Sequence, residues 1–188
     1  AHALGVQDVV IVAVKAPAME SVAQGIAPLI GPETCVVVAM NGVPWWFFDR
    51  HGPLEGLRLQ SVDPHGRITQ AIPTKNVLGC VVHLTCSTAA PGHVRHGFGK
   101  RLILGEPAGG ISPRLDALGA LFERAGLQIE RSEAIQRDIW FKLWGNMTMN
   151  PVSVLTGATC DRILDDPLVS AFCLGVMEEA KAIGARIG

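Results

Sequence analysis

The chain has 188 residues, 48% of them apolar and 18% charged, with a formal net charge of −1. That balance describes a soluble globular protein, long enough to bury a core and to divide into two domains. It excludes the basic character of a nucleic-acid binder, and the longest apolar runs, Val9 to Val14 and Val36 to Met40, fall far short of the ~20 residues that cross a bilayer.

The first element, Asp8 to Val14, is a continuous β-branched run, the pattern of a strand covered on both faces in a parallel sheet. Residues about 18–30 carry a helical pattern that Gly31-Pro32 closes, and Thr34 to Met40 is a second buried strand running into Asn41-Gly42. Strand, helix and strand in this span make a βαβ unit, hence a parallel sheet. Ligands of such sheets bind beyond the carboxyl ends of the strands, where Lys15 and Asn41 both fall on one predicted rim. Residues 43–110 are rich in Gly and Pro; Asn76 to Thr85 and Arg101 to Leu104 read as antiparallel strands joined by turns at Pro91-Gly92 and Gly97. A helix starts at Ser112-Pro113 and stops at Gly126, and Leu127 to Glu130 alternates like a short strand. Everything after Ser132 is helical in pattern, with a break or kink expected where Pro151 follows Asn150. The expected architecture is α/β, the latter part of a Rossmann-type domain over residues 1–132 and the start of an all-helical domain over 133–188.

One polar stripe stands out. Asp138, Lys142, Asn146 and Asn150 recur every fourth residue and so share a helix face, at about 100° per residue. Ile139, Trp140, Phe141, Leu143, Trp144, Met147 and Met149 occupy the rest of the circumference, which predicts a helix buried nearly all round. A lysine and two carboxamides on such a helix face a cleft or need partners. A lysine can polarise a carbonyl and donate a proton, and carboxamides can hold a carboxylate or hydroxyl in place. The bland alternative is a solvated face on which Asp138 pairs with Lys142. Lys15 and Asn41 have bland alternatives too, a surface lysine and a tight turn.

Other constellations carry less. Cys80, His83 and Cys86 cannot share a strand face, because alternate side chains point opposite ways, and no Cys-x-x-Cys pair occurs, so no metal is expected. The five cysteines, Cys35, Cys80, Cys86, Cys160 and Cys173, are scattered and read as buried free thiols of a cytoplasmic protein. Trp45-Trp46-Phe47-Phe48 reads either as a pocket wall or as core or subunit interface; exposed aromatics there would favour a homodimer.

With these residues laid out, the chain resembles the ketopantoate reductase (2-dehydropantoate 2-reductase) family. The resemblance runs through Val12-Ala13-Val14-Lys15-Ala16, Met40-Asn41-Gly42-Val43, Pro91-Gly92-His93-Val94 and Leu104-Gly105-Glu106. Its most specific part is Trp140-x-Lys142-x-x-x-Asn146-x-x-x-Asn150-Pro151, followed by Leu155-Thr156-Gly157 and Asp166-Pro167. It implies a Rossmann domain joined to a helical domain, NADPH as cofactor and a small 2-keto acid as substrate, reduced in a step of pantothenate synthesis. On this resemblance Lys142 matches the catalytic lysine, Asn146 and Asn150 the substrate-positioning asparagines, Asn41 the asparagine near nicotinamide and substrate, and Lys15 a lysine beside the cofactor. The family's Gly-x-Gly-x-x-Gly turn is missing from this sequence, as is a later basic residue for a 2′-phosphate, and Cys160 falls close to where some members carry another asparagine. The expectation is the central portion of a longer enzyme, since the chain opens at Ala1 without Met and meets a strand almost at once. The alternatives are a relative acting on another 2-keto acid or an alcohol, and a truncated, non-catalytic protein whose aromatic patch binds a partner.

Overall fold

The run Cys35-Val36-Val37-Val38-Ala39 forms the strand that organises the sheet, because β-branched side chains on both sides of it find a layer to bury against. The computed structural model describes residues 1–50 and 52–188. Five strands lie in the order β1 (Val9–Val12), β2 (Cys35–Ala39), β3 (Val77–Ala90), β4 (His93–Gly105) and β5 (Gln128–Ser132). β1, β2 and β3 are mutually parallel, β3 and β4 form an antiparallel hairpin, and β5 joins β4 in parallel.

Alternation along the strands sends residues to two cores. Val36, Val38, Val77, Val81 and Ile103 face one layer, built from helix α1 (Met19–Ile26), the short helix α2 (Arg67–Ala71), the Trp45–Phe48 segment and the first turns of α4 (Ile135–Thr156). Cys35, Val37, Leu78, Cys80, Leu102 and Leu104 face the other, covered by α3 (Pro113–Arg124). The result is a three-layer α/β arrangement of the Rossmann type. Beyond the sheet, α4 packs with α5 (Cys160–Asp165) and α6 (Pro167–Ile187) around a separate small core of Val152, Ile163 and Cys173.

Several sequence expectations are corrected. On the first strand Val10 and Val12 pack into one core and Val9 against the other, but Ile11 is 55% exposed. Gly97 does not end a strand: β4 runs through it as a bulge, because Thr85 pairs with Phe98 and Cys86 with His96. A second irregularity falls between His83 and Thr85, where Gly99 adopts a φ of 77°, a value that glycine alone takes without steric cost. Trp45, Trp46, Phe47 and Phe48 are core residues, not exposed aromatics, so the surface feature favouring a homodimer or a partner patch is not there. Cys35, Cys80 and Cys173 are buried, whereas Cys86 and Cys160 are exposed; all five are free thiols.

A charged staple fixes α3 to the sheet. Ser112 caps the helix by accepting from the Leu115 N–H, and its hydroxyl also donates to Glu106. Arg114 donates through Nε to Glu106 Oε1 at 2.8 Å and through Nη2 to Oε2, and it reaches the carbonyls of Lys75 at 2.6 Å and Val77 at 2.9 Å. Burial pushes the Glu106 carboxyl up, but the hydrogen bonds from Arg114 and Ser112 and the Arg114 charge outweigh it and leave its pKa lowered. A carboxylate lowered in the fold adds stability at neutral pH that is lost as pH drops through its folded value. Arg114→Ala is therefore expected to cost about 2–3 kcal/mol at neutral pH, below the fully buried range because 35% of the Arg114 side chain stays exposed. The gap between denaturant melts of wild type and variant should narrow only as pH falls below the ordinary glutamate range and through the lowered folded value of Glu106; a gap of constant size from neutral pH to that acid range would refute this account.

Candidate functional site

Helix α4 carries the polar stripe, and its burial explains where the stripe points. Ile135 and Ile139 are buried in the sheet-side core at 0% and 4% exposure. Lys142 follows Ile139 by three residues and Asn146 by seven, so both project from the same side of the helix, further along its axis. From Ile135 to Lys142 the helix rises by about 10 Å, so the open part of the stripe begins about two turns beyond the Ile135 anchor. Ile135 seats the helix. Its side chain fills the hollow left by Gly79 and Gly105, which pair across β3 and β4, and a Cβ added at either glycine would come within 2.9 Å or 2.7 Å of it.

The helix is not buried all round as its composition predicted: Phe141, Val154 and Leu155 are 71%, 83% and 86% exposed. The sheet, the Trp45–Phe48 segment and helices α5 and α6 cover parts of it and leave these side chains open. Nor does Pro151 break it. α4 continues to Thr156 with the proline inside; the proline removes the N–H that would bond the Met147 carbonyl. Next to it the Thr148 hydroxyl back-bonds to the Trp144 carbonyl at 2.8 Å.

Lys142 and Asn146 are half-buried and Asn150 is exposed. Among the described residues none of the three has a side-chain hydrogen bond or ion pair within the chain. Asp138 does not pair with Lys142; it accepts a hydrogen bond from the Ser132 hydroxyl, whose oxygen in turn accepts from the Ala134 N–H at the head of the helix. The stripe therefore divides, with Asp138 fastening the helix start and Lys142, Asn146 and Asn150 left open to a ligand.

Lys15 and Asn41 lie beyond the carboxyl ends of the adjacent parallel strands β1 and β2, and both are exposed. Asn41 is tied down: its Nδ2 donates to the Val82 carbonyl at 3.2 Å and its Oδ1 accepts from the Val82 N–H at 3.0 Å. The side chain thus extends the β2–β3 ladder past the end of β2. Next to Val82 stands His83, which sequence reasoning treated only as a rejected metal ligand. It lies within electrostatic range of Lys142 and Asp138 on α4. The signal that could have found it is its place one residue beyond the backbone that Asn41 holds. Among the described residues no group of three His, Cys, Asp or Glu side chains converges as a metal site, and no helix is long and apolar enough to span a membrane.

A cleft of about 690 Å³ lies on a different side of α4. Phe47, Phe48, Asp138, Trp140, Trp144 and Lys181 are among its walls, but Lys142, Asn146, Asn150 and Asn41 are not. For a dinucleotide, Lys15 and Asn41 lie beyond the carboxyl ends of β1 and β2, the side on which ligands of parallel sheets bind, and no Gly-x-Gly-x-x-Gly turn occurs in this sequence.

Comparison with known proteins shows the family to which the chain is similar. The family model described as ketopantoate reductase PanE/ApbA matches residues 2–109, and that of the ketopantoate reductase PanE/ApbA C terminal matches residues 134–188. A 2-dehydropantoate 2-reductase of Mesorhizobium japonicum is 46% identical over 189 residues, covering 100% of this chain and 58% of its own length. A crystal structure from Ralstonia solanacearum MolK2, assigned as a ketopantoate reductase, is 85% identical with a TM-score of 0.97, across 100% of this chain and 58% of that one. The 2-dehydropantoate 2-reductase of Geobacter metallireducens GS-15 shares the fold at a TM-score of 0.79 and 24% identity, over 96% of this chain and 54% of that chain. The chain thus spans a little over half the length of the relatives it matches.

Proposed function

The chain belongs to the ketopantoate reductase family, and we propose that the protein it represents reduces a 2-keto acid, 2-dehydropantoate before others, with NADPH. The observation that carries this reading is the open stripe of Lys142, Asn146 and Asn150 on α4, whose Lys142 lies within electrostatic range of His83, next to the Val82 backbone that Asn41 holds. The bound cofactor would supply the hydride. Lys142 is the proton donor. Its ammonium hydrogen-bonds the keto oxygen, draws electron density from C2, and gives up a proton as the oxygen gains charge. Asn146 and Asn150, one and two turns further along the face, hold the carboxylate and hydroxyl groups, each carboxamide offering two donors and an acceptor. Lys15 and Asn41 support the nicotinamide end, Asn41 with its carboxamide already oriented by the Val82 backbone.

A related reductase acting on another 2-keto acid remains the second reading of the same site. The feature that raised it, a bulky aromatic pocket wall, is largely withdrawn into the core, since Trp45 and Trp46 are each 1% exposed. The test is to follow NADPH oxidation by the full-length protein across a panel of 2-keto acids. Saturable turnover with ketopantoate at the highest kcat/KM supports the proposal. A preference for another 2-keto acid selects the second reading, and cofactor binding without turnover of any 2-keto acid rejects both.

A further inference from the structure

His83 stands where the sheet meets the lysine helix, and its neighbours assign its ring nitrogens. It pairs across the hairpin with Arg101, whose Nη2 lies 3.4 Å from His83 Nδ1. Arg101 also reaches Glu130 on β5, Nη1 to Oε2 at 3.3 Å. A guanidinium has only donors, so Nδ1 is the acceptor of this ring, and a neutral ring carries its proton on Nε2. Two cations directly opposed on neighbouring strands would repel, which makes the neutral ring the compatible partner of Arg101. Nε2 is also the ring atom farther from the backbone, and the ring stands on the sheet face over which α4 runs. The charged groups facing it are Arg101 from β4, Glu130 from β5, and Lys142 and Asp138 from α4. Burial first, then the positive charges of Arg101 and Lys142, lower its pKa, while Glu130 and Asp138 act the other way.

Resting on the reading of Lys142 as donor to a 2-keto acid, we infer that His83 contacts the substrate, its Nε2–H donating a hydrogen bond to a carboxylate or keto oxygen beside Lys142, with Arg101 as the positioning residue that fixes the tautomer. The arrangement gives the substrate a neutral donor beside a cationic one. It also avoids setting a third positive charge against Lys142 and Arg101.

Two substitutions in the full-length enzyme separate the ring nitrogens. His83→Asn reproduces the acceptor near Nδ1 but not the distal donor, whereas His83→Gln places an amide N–H near the Nε2 position. His83→Asn should raise KM for the keto acid about ten- to hundredfold, the loss of one hydrogen bond to a charged group, while KM for NADPH stays unchanged. His83→Gln should recover most of that loss. Equal losses in both variants, or none in either, overturn the contact. Nitrogen-15 NMR of the histidine rings at neutral pH adds a readout independent of substrate: an unprotonated Nδ1 and a protonated Nε2 support the assignment, and an imidazolium or the opposite tautomer overturns it. Wild-type enzyme that reduces no 2-keto acid removes the underlying reading and the contact together, whereas normal wild-type turnover with equal variants removes the contact alone.

Discussion

Replacing Lys142 with alanine is expected to lower kcat of the full-length enzyme by about 10²–10⁴-fold, the range spanned by one well-placed general acid. Thermal stability should hardly change. Among the described residues Lys142 makes no intramolecular hydrogen bond or ion pair and is only half-buried, and substitutions at such sites stay within about 0.5 kcal/mol. Lys142→Arg sharpens the test. A guanidinium keeps the positive charge and can bind a carbonyl oxygen, but it does not release its proton near neutral pH. If the lysine acts as an acid, the arginine variant should hold KM near the wild-type value and still lose most of kcat. If it acts only by attracting charge, the arginine variant should retain much of kcat. Near-normal turnover in the alanine variant would end the assignment altogether.

The parts of this molecule legible in the sequence are those governed by local period. The β-branched runs at Val9 and Val36, the Ser112-Pro113 helix start and the four-residue step from Lys142 to Asn150 each write their structure into neighbouring residues. Where the outcome depends on distant partners, sequence reasoning fell short. Ile11 looks as buried as Val37, but only Val37 lies in the core that α3 covers. Gly97 has the composition of a turn and becomes a bulge because the hairpin partner continues past it. Pro151 disfavours helix locally, but α4 carries it, held on either side by packing at Thr148 and Val152. His83 shows the same dependence: its own strand sets Cys80 and Cys86 near it in sequence, whereas the charged groups that face it come from β4, β5 and α4. The Trp45–Phe48 segment illustrates the converse, since a run that could serve as wall, core or interface is resolved only by the sheet it packs on.

Gly105→Ala is expected to damage the site from a distance, and it tests whether the seat of α4 sets the position of Lys142. A Cβ at residue 105 would lie 2.7 Å from the Cβ of Ile135 and 3.0 Å from the carbonyl oxygen of Ser132. The first of these atoms cannot rotate away, and the second belongs to the backbone of β5. Relief therefore requires the start of α4 to lift from the sheet. Overpacking of this kind costs about 1–3 kcal/mol, which in a domain of this size lowers Tm by a few degrees for each kcal/mol. Catalysis should suffer more than stability. The helix is a stiff rod from Ile135 to Lys142, so a shift near 1 Å at its seat is passed to the ammonium group, and misplacements of that size can cost about 10²-fold in rate. Gly79→Ala meets buried side-chain atoms and no backbone, Trp46 Cη2 at 2.8 Å and Ile135 Cγ1 at 2.9 Å, and it should cost stability with a smaller loss of kcat. Thermal melts and kcat/KM measured on both variants decide the matter: a Gly105→Ala enzyme that is destabilised but fully active would show that the rim geometry is set by some element other than the glycine-seated start of α4.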